Sequence, residues 1–254
     1  MRYLVRPIQI IYSIYAIAVF VLFMFISFPF VVVAGIFPDT TRGNMIYYIV
    51  TYWSGCVLFL WGMHHRNIYK FPHKADHPVI FVFNHISYLD IPILLMAFRH
   101  QHIRVLGKAE MAKIPIFGFM YRSAAIMVNR SSSEGRAESV NKLKATLKKN
   151  VSVVIAPEGT FNMTTKPLKE FYDGAFRIAI ETQTPIKPVV FLDAYDRLHY
   201  NSVLTFTPGK SRAIFLEEIA VNGYALEDVK ALKEKVYDIM EARLLENNAT
   251  WITQ

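Results

Sequence analysis

Only one of the 254 residues, Cys56, is a cysteine, so no disulfide can form within the chain and nothing points to an oxidising compartment. A lone thiol inside an apolar run is given no chemistry. No Gly-x-Ser-x-Gly elbow occurs, which speaks against a serine hydrolase. The lysine-rich stretch 141–149 comes with neither zinc-finger spacing nor an RNA-binding aromatic signature. It therefore reads as a solvated or membrane-facing helix, and no nucleic-acid partner is expected. His64, His65, His73 and His77 match no His-Glu-x-x-His pattern and have no cysteine beside them. They read as surface or interfacial histidines, and no metal is expected. There is no internal repeat and no low-complexity segment.

Charge is also missing locally. Residues 8–37 contain no charged side chain. As a helix rising about 1.5 Å per residue, that run would exceed a hydrocarbon core of roughly 30 Å. It must tilt, kink at Pro29 or turn back near Gly35. Arg2 and Arg6 precede it, favouring a cytoplasmic N-terminus. A signal peptide is disfavoured, because the apolar core is too long and no small-x-small cleavage site follows cleanly. After a polar turn at 38–44, residues 45–63 are again uncharged but rich in Tyr, Trp, Ser and Gly. His64, His65, Arg66 and Lys70 then restore positive charge. Two apolar segments flanked by positive charge predict a membrane hairpin over residues 1–66, with the remainder on the cytoplasmic face. The formal net charge of +8 suits anionic partners: acidic lipids, phosphate-bearing ligands or an acidic carrier protein.

Residues 67–254 have the composition of one mixed α/β domain. Strands are expected at 79–83, 103–107, 125–129, 151–156, 188–192, 203–207 and 212–217. Helices are expected at 132–149, 172–182 and 226–246. Strands alternating with helices imply a mixed, largely parallel sheet flanked by helices on both faces.

Two strand exits carry polar groups. The first reads Phe83-Asn84-His85-Ile86-Ser87-Tyr88-Leu89-Asp90, followed by an apolar helix with Pro92 near its start. If the backbone curls back, Asp90 can hold the proton on one ring nitrogen of His85 and leave the other free as a base. Alternatively, Asn84 or Ser87 caps the helix, Asp90 complements its dipole and His85 packs. The second exit reads Ala156-Pro157-Glu158-Gly159-Thr160-Phe161-Asn162, where amides in a glycine turn can face an anion or an oxyanion. Downstream, Lys166, Lys169 and Arg177 flank Gly174, a plausible phosphate seat. Arg130 at a strand end suits phosphate because its fork bonds two oxygens.

In this order the stretches resemble the lysophosphatidic acid acyltransferase (1-acylglycerol-3-phosphate acyltransferase) family of membrane glycerolipid acyltransferases. The likeness covers about residues 78–188 and continues more weakly through Thr207-Pro208-Gly209-Lys210. Its NHxxxxD block is Asn84-His85 with Asp90. Its second block falls on Lys108, Glu110, Pro115, Gly118 and Arg130. Its PEGT block is Pro157-Glu158-Gly159-Thr160, and its apolar proline block is 185–190.

The resemblance implies transfer of an acyl group from acyl-CoA or acyl-carrier protein to a lysolipid hydroxyl, foremost 1-acylglycerol-3-phosphate. His85 and Asp90 would be catalytic. Asn84, Ser87, Lys108, Arg130, Glu158, Gly159, Thr160, Lys166 and Lys169 would bind substrate. No metal, cofactor or acyl-enzyme is required. The alternatives are another acceptor (a lysophospholipid, glycerol-3-phosphate or a non-phosphate lysolipid) or a membrane-anchored lipid-binding protein without turnover.

One departure bears on the acceptor. Similar enzymes carry Arg-Ser after PEGT, and that arginine is thought to help hold the acceptor phosphate, whereas this chain has Phe161-Asn162. Either Lys166, Lys169, Arg130 or Arg177 takes its place, or the head group differs.

Overall fold

The computed structural model describes residues 2–71, 76–128 and 132–253. Two long helices come first, α1 (Arg2–Ala34) and α2 (Asp39–Leu60). The sheet follows in the order β1 (Met63–Tyr69), β2 (Ile80–Phe83), α3 (Asp90–Ala97), β3 (Ile103–Lys108) and a 3-10 turn at Ala109–Lys113. It continues with α4 (Phe117–Ala124), β4 (Ala125–Val128), α5 (Ser133–Lys148), β5 (Ser152–Ile155), α6 (Gly174–Thr182) and β6 (Ile186–Phe191). Then come α7 (Ala194–Arg197), β7 (Gly209–Phe215) and, after a 3-10 turn at Leu226–Asp228, α8 (Val229–Glu246).

The strands lie side by side as β1-β7-β6-β2-β5-β3-β4, and every pairing is parallel except β6 with β7. The central strands Ile-Phe-Val-Phe of β2 and Ser-Val-Val-Ile of β5 are buried at every position, as expected of strands covered on both faces. Right-handed crossovers then fix where the helices lie. The β2–β3 and β3–β4 connections run one way along the sheet and place α3 and α4 on one face. The β4–β5 and β5–β6 connections run back, placing α5 and α6 on the other, where α8 joins them.

The hairpin lies against the α3–α4 face. Helix α2 buries Ile46, Tyr47, Trp53, Ser54 and Val57 there. Tyr47 Oη donates to Phe98 O at 2.9 Å and Ser54 Oγ to Pro92 O at 2.6 Å. Trp61 Nε1 donates to Ala16 O at 2.9 Å, joining the two helices. Helix α1 runs uninterrupted through Pro29 and ends in a turn at Gly35, so the chain turns back near Gly35 and the helix is not broken at Pro29. Its outer face, including Ile11, Ile14, Leu22, Phe25 and Phe30, is exposed. Both helices are long and apolar enough to cross a membrane.

Two expectations about strands need correction. Residues 203–207 form no strand. Their backbone is held by α1, with Gln9 Nε2 donating to Thr205 O at 3.2 Å and Phe206 N donating to Ser13 Oγ at 3.1 Å. Conversely, 63–69 is not merely a basic flank: as β1 it pairs with β7 over seven residues. Its polar sequence suits the exposed edge it occupies.

Candidate active site

The chain leaves β2 towards one face of the sheet and leaves β5, its neighbour, towards the other. Between two such strands a crevice opens at their carboxyl ends, where ligands of open α/β sheets bind. Both polar strand exits meet there.

The turn after β2 is closed by its own aspartate. Asp90, fully buried at the start of α3, accepts the His85 Nδ1 proton at 2.8 Å on Oδ2. The same oxygen accepts the amides of Ile86 at 2.8 Å and Ser87 at 3.0 Å. Three donors on one carboxylate oxygen lock the loop and fix the histidine tautomer, leaving Nε2 as an acceptor. The His85 side chain is 25% exposed, so an alcohol can reach it.

The turn after β5 is tied to the first by long-range bonds. The buried Glu158 accepts His85 N on Oε1 and Lys169 N on Oε2, both at 2.9 Å. Burial pushes its carboxyl up to about 7, against the pull of those two amides. Asn162 N donates to His85 O at 2.7 Å, so both backbone groups of His85 are held by the second turn. The Asn162 side chain is itself saturated: Nδ2 reaches Lys166 O and Pro167 O, while Oδ1 accepts Thr164 N and Oγ1. Gly159 adopts φ +72, a left-handed conformation that a side chain would strain, and its amide closes the turn onto Ala156 O. Thr160 Oγ1 accepts Lys169 Nζ at 2.8 Å, which leaves the hydroxyl proton free to donate elsewhere.

Aromatic rings line the histidine. Phe161 lies edge-on to His85, with ring centroids 4.4 Å apart, and to Tyr88 at 4.8 Å. Phe83 closes the other side at 5.8 Å.

Of the residues expected at the site, His85, Asp90, Glu158, Gly159, Thr160 and Lys169 are brought together. Asn84 and Ser87 are also near but face inward. The Asn84 amide exchanges two hydrogen bonds with the Phe191 backbone, and Ser87 Oγ donates to Leu198 O at 2.6 Å. Both are buried, so they shape the crevice rather than line it. Lys166 contributes its carbonyl to Asn162 and keeps its exposed side chain outside. Lys108 ends β3, two strands away from β2, and is exposed. Arg130 lies outside the described residues. Tyr88 and the bracing role of Asn162 escaped the sequence reading. Asn162 had a signal, as half of the departure after PEGT; Tyr88 had none beyond its place in the block.

Among the described residues, the histidines flanking the hairpin form no metal-holding group. His65 is held by Ser211 and Asn67, and burial lowers its imidazole to about 4. His77 pairs with Asp76 and Glu218. His73 lies outside the described residues.

A family model described as acyltransferase matches residues 63–192, from β1 through β6, and so contains both turns. A 1-acyl-sn-glycerol-3-phosphate acyltransferase of Haemophilus influenzae is 28% identical over 200 residues, covering 78% of this chain and 81% of that protein. A putative 1-acyl-sn-glycerol-3-phosphate acyltransferase of Caenorhabditis elegans is 30% identical over 189 residues, covering 73% and 66%. The human 1-acyl-sn-glycerol-3-phosphate acyltransferase beta is 28% identical over 174 residues, covering 68% and 62%, so the chain spans less than two thirds of that relative. The crystal structure of the Thermotoga maritima 1-acyl-sn-glycerophosphate acyltransferase superposes over 100% of both chains with a TM-score of 0.75 at 22% identity, a likeness of fold.

Proposed function

This chain belongs to the acyltransferase family, and from that premise we propose that it transfers an acyl group from a thioester donor to the free hydroxyl of a lysolipid. The foremost acceptor is 1-acylglycerol-3-phosphate, the substrate named for its relatives. The observation that carries the reading is the His85–Asp90 pair, 2.8 Å apart at the mouth of the crevice. His85 Nε2 takes the hydroxyl proton, and the freed oxygen attacks the thioester carbonyl. The Thr160 hydroxyl, polarised by Lys169 Nζ, donates to the tetrahedral oxyanion. The carbon–sulfur bond then breaks, and the thiolate recovers the proton from His85. No residue of the chain is acylated along the way. The Gly159 amide, already bonded to Ala156 O, is a weaker oxyanion donor than Thr160.

The hairpin supports a site at a membrane surface, where acceptor and product need not be extracted into water. The apolar outer face of α1 would meet the lipid, and Arg2 and Arg6 favour the cytoplasmic side.

A second reading changes only the acceptor. Phe161 offers His85 an apolar edge, which favours a lysolipid without a phosphomonoester head group. Both readings are tested with the purified protein in vesicles, following thiol release from one acyl-CoA against a panel of acceptors. Release that depends on 1-acylglycerol-3-phosphate is expected and vanishes in His85→Ala. Release only with a non-phosphate acceptor selects the second reading. No release with any acceptor or thioester donor defeats both.

A further inference from the structure

Two hollows lie on opposite faces of the sheet, and one of them reaches the second turn. On the hairpin face a cavity of about 100 Å³ is lined almost wholly by apolar side chains, among them Met24, Trp53, Leu94 and Met120. On the other face, between α5 and α6, lies a groove of about 620 Å³. Gly159 lines it, next to the Glu158 that holds the His85 amide. Leu106 and Ile155 form its floor, while Arg136 of α5 and Tyr172 before α6 add polar groups to apolar walls. At Gly174, which opens α6 on the groove, an added Cβ would meet no atom within 4 Å.

A thioester donor has two unlike ends. Its hydrocarbon and its leaving thiol diverge from the carbonyl that must stand at His85. The hairpin face is apolar and suits the hydrocarbon. The thiol arm of biological acyl donors is a water-soluble chain of amides, with a dimethyl group and a hydroxyl, that ends in phosphate. A groove of mixed polarity, away from the hairpin, reaching the second turn at Gly159 and carrying a guanidinium, matches that arm. On the acyl-transfer reading above, we propose that the α5–α6 groove seats the phosphopantetheine arm of the acyl donor, with Arg136 meeting its phosphate.

The test fills the groove with Gly174→Trp and compares three donors of one acyl chain: the CoA thioester, the carrier-protein thioester and the truncated N-acetylcysteamine thioester. KM for the two arm-bearing donors is expected to rise about tenfold or more, with kcat/KM for the truncated donor held within about twofold. KM for the lysolipid should not move. The donor on which the wild-type protein works better identifies the source of the arm. An equal loss on the truncated donor, or no change on any donor, overturns the proposal. Arg136→Ala serves as a second variant, expected to raise KM for both arm-bearing donors by about threefold or more, with less dependence on salt. Unchanged KM there removes the phosphate contact. Calorimetric binding of CoA itself separates this proposal from the function on which it rests. Binding that weakens about tenfold in Gly174→Trp supports the groove even if no acceptor turns over. Binding unaffected by the substitution sinks the groove while leaving the transfer reaction standing.

Discussion

The two turns that meet at the crevice begin alike, each a buried strand running into polar residues, but they are built differently. The turn after β2 is local: His85, Ile86 and Ser87 all bond to Asp90 within five residues. The turn after β5 is held at a distance. Glu158 reaches His85 and Lys169, Asn162 reaches His85 and Lys166, and Lys169 reaches back to Thr160. A self-contained turn can present a reactive group with a fixed tautomer, while a cross-linked turn can fix where that group stands relative to its neighbours. The first is therefore the place to look for chemistry and the second for alignment.

Substitutions sharpen that contrast. The largest effect is expected for His85→Ala, a loss of kcat of roughly 10³-fold or more with little change in thermal midpoint. Turnover within about tenfold of the wild type would remove His85 as the base. Asp90→Asn comes next, costing about 10²-fold or more in kcat because the imidazolium loses its counter-charge. It should also cost stability of about 1–3 kcal/mol, since a buried oxygen with three donors is disturbed. A chemical denaturation series alongside kinetics separates the two contributions.

Glu158→Gln probes the second turn. The amide can still accept one N–H but turns a donor towards the other, so a roughly tenfold fall in kcat with altered KM is expected. Its signature lies in pH. The folded carboxyl is raised from its ordinary 4.5 to about 7, so its contribution to stability is full below 4.5 and is lost as pH rises to about 7. The wild-type melting temperature should carry that decline, and Glu158→Gln should lack it. An identical decline in both proteins would mean that Glu158 titrates normally. The smallest change is expected from Asn162→Ala, which keeps the amide bond to His85 but frees the 162–167 loop. A loss of about 1–2 kcal/mol is expected, with a rise in KM exceeding any fall in kcat. If kcat collapsed instead, the second turn would be doing more than aligning.

Much of the fold was legible because buried parallel strands leave apolar runs, and β2 and β5 fell close to where those runs lay. The edge strand β1 was not legible. His-His-Arg-Asn at a sheet edge looks like a charged flank until β7 is beside it. The reverse happened at 203–207, whose apolar and threonine residues read as a strand although α1 takes their hydrogen bonds.

At the site, the sequence alone determined that His85 and Asp90 leave one strand exit five residues apart, a spacing that lets a carboxylate meet an imidazole; the fold decided that they do, at 2.8 Å. The sequence also determined the hairpin, through the long absence of charge. Only the tertiary structure decided that Glu158 and Asn162 hold His85 by its backbone, that Phe161 covers it, and that Asn84 and Ser87 face inward. Those contacts join segments more than 70 residues apart or depend on which way a short turn faces, and neither spacing nor composition encodes such a meeting until the sheet has assembled.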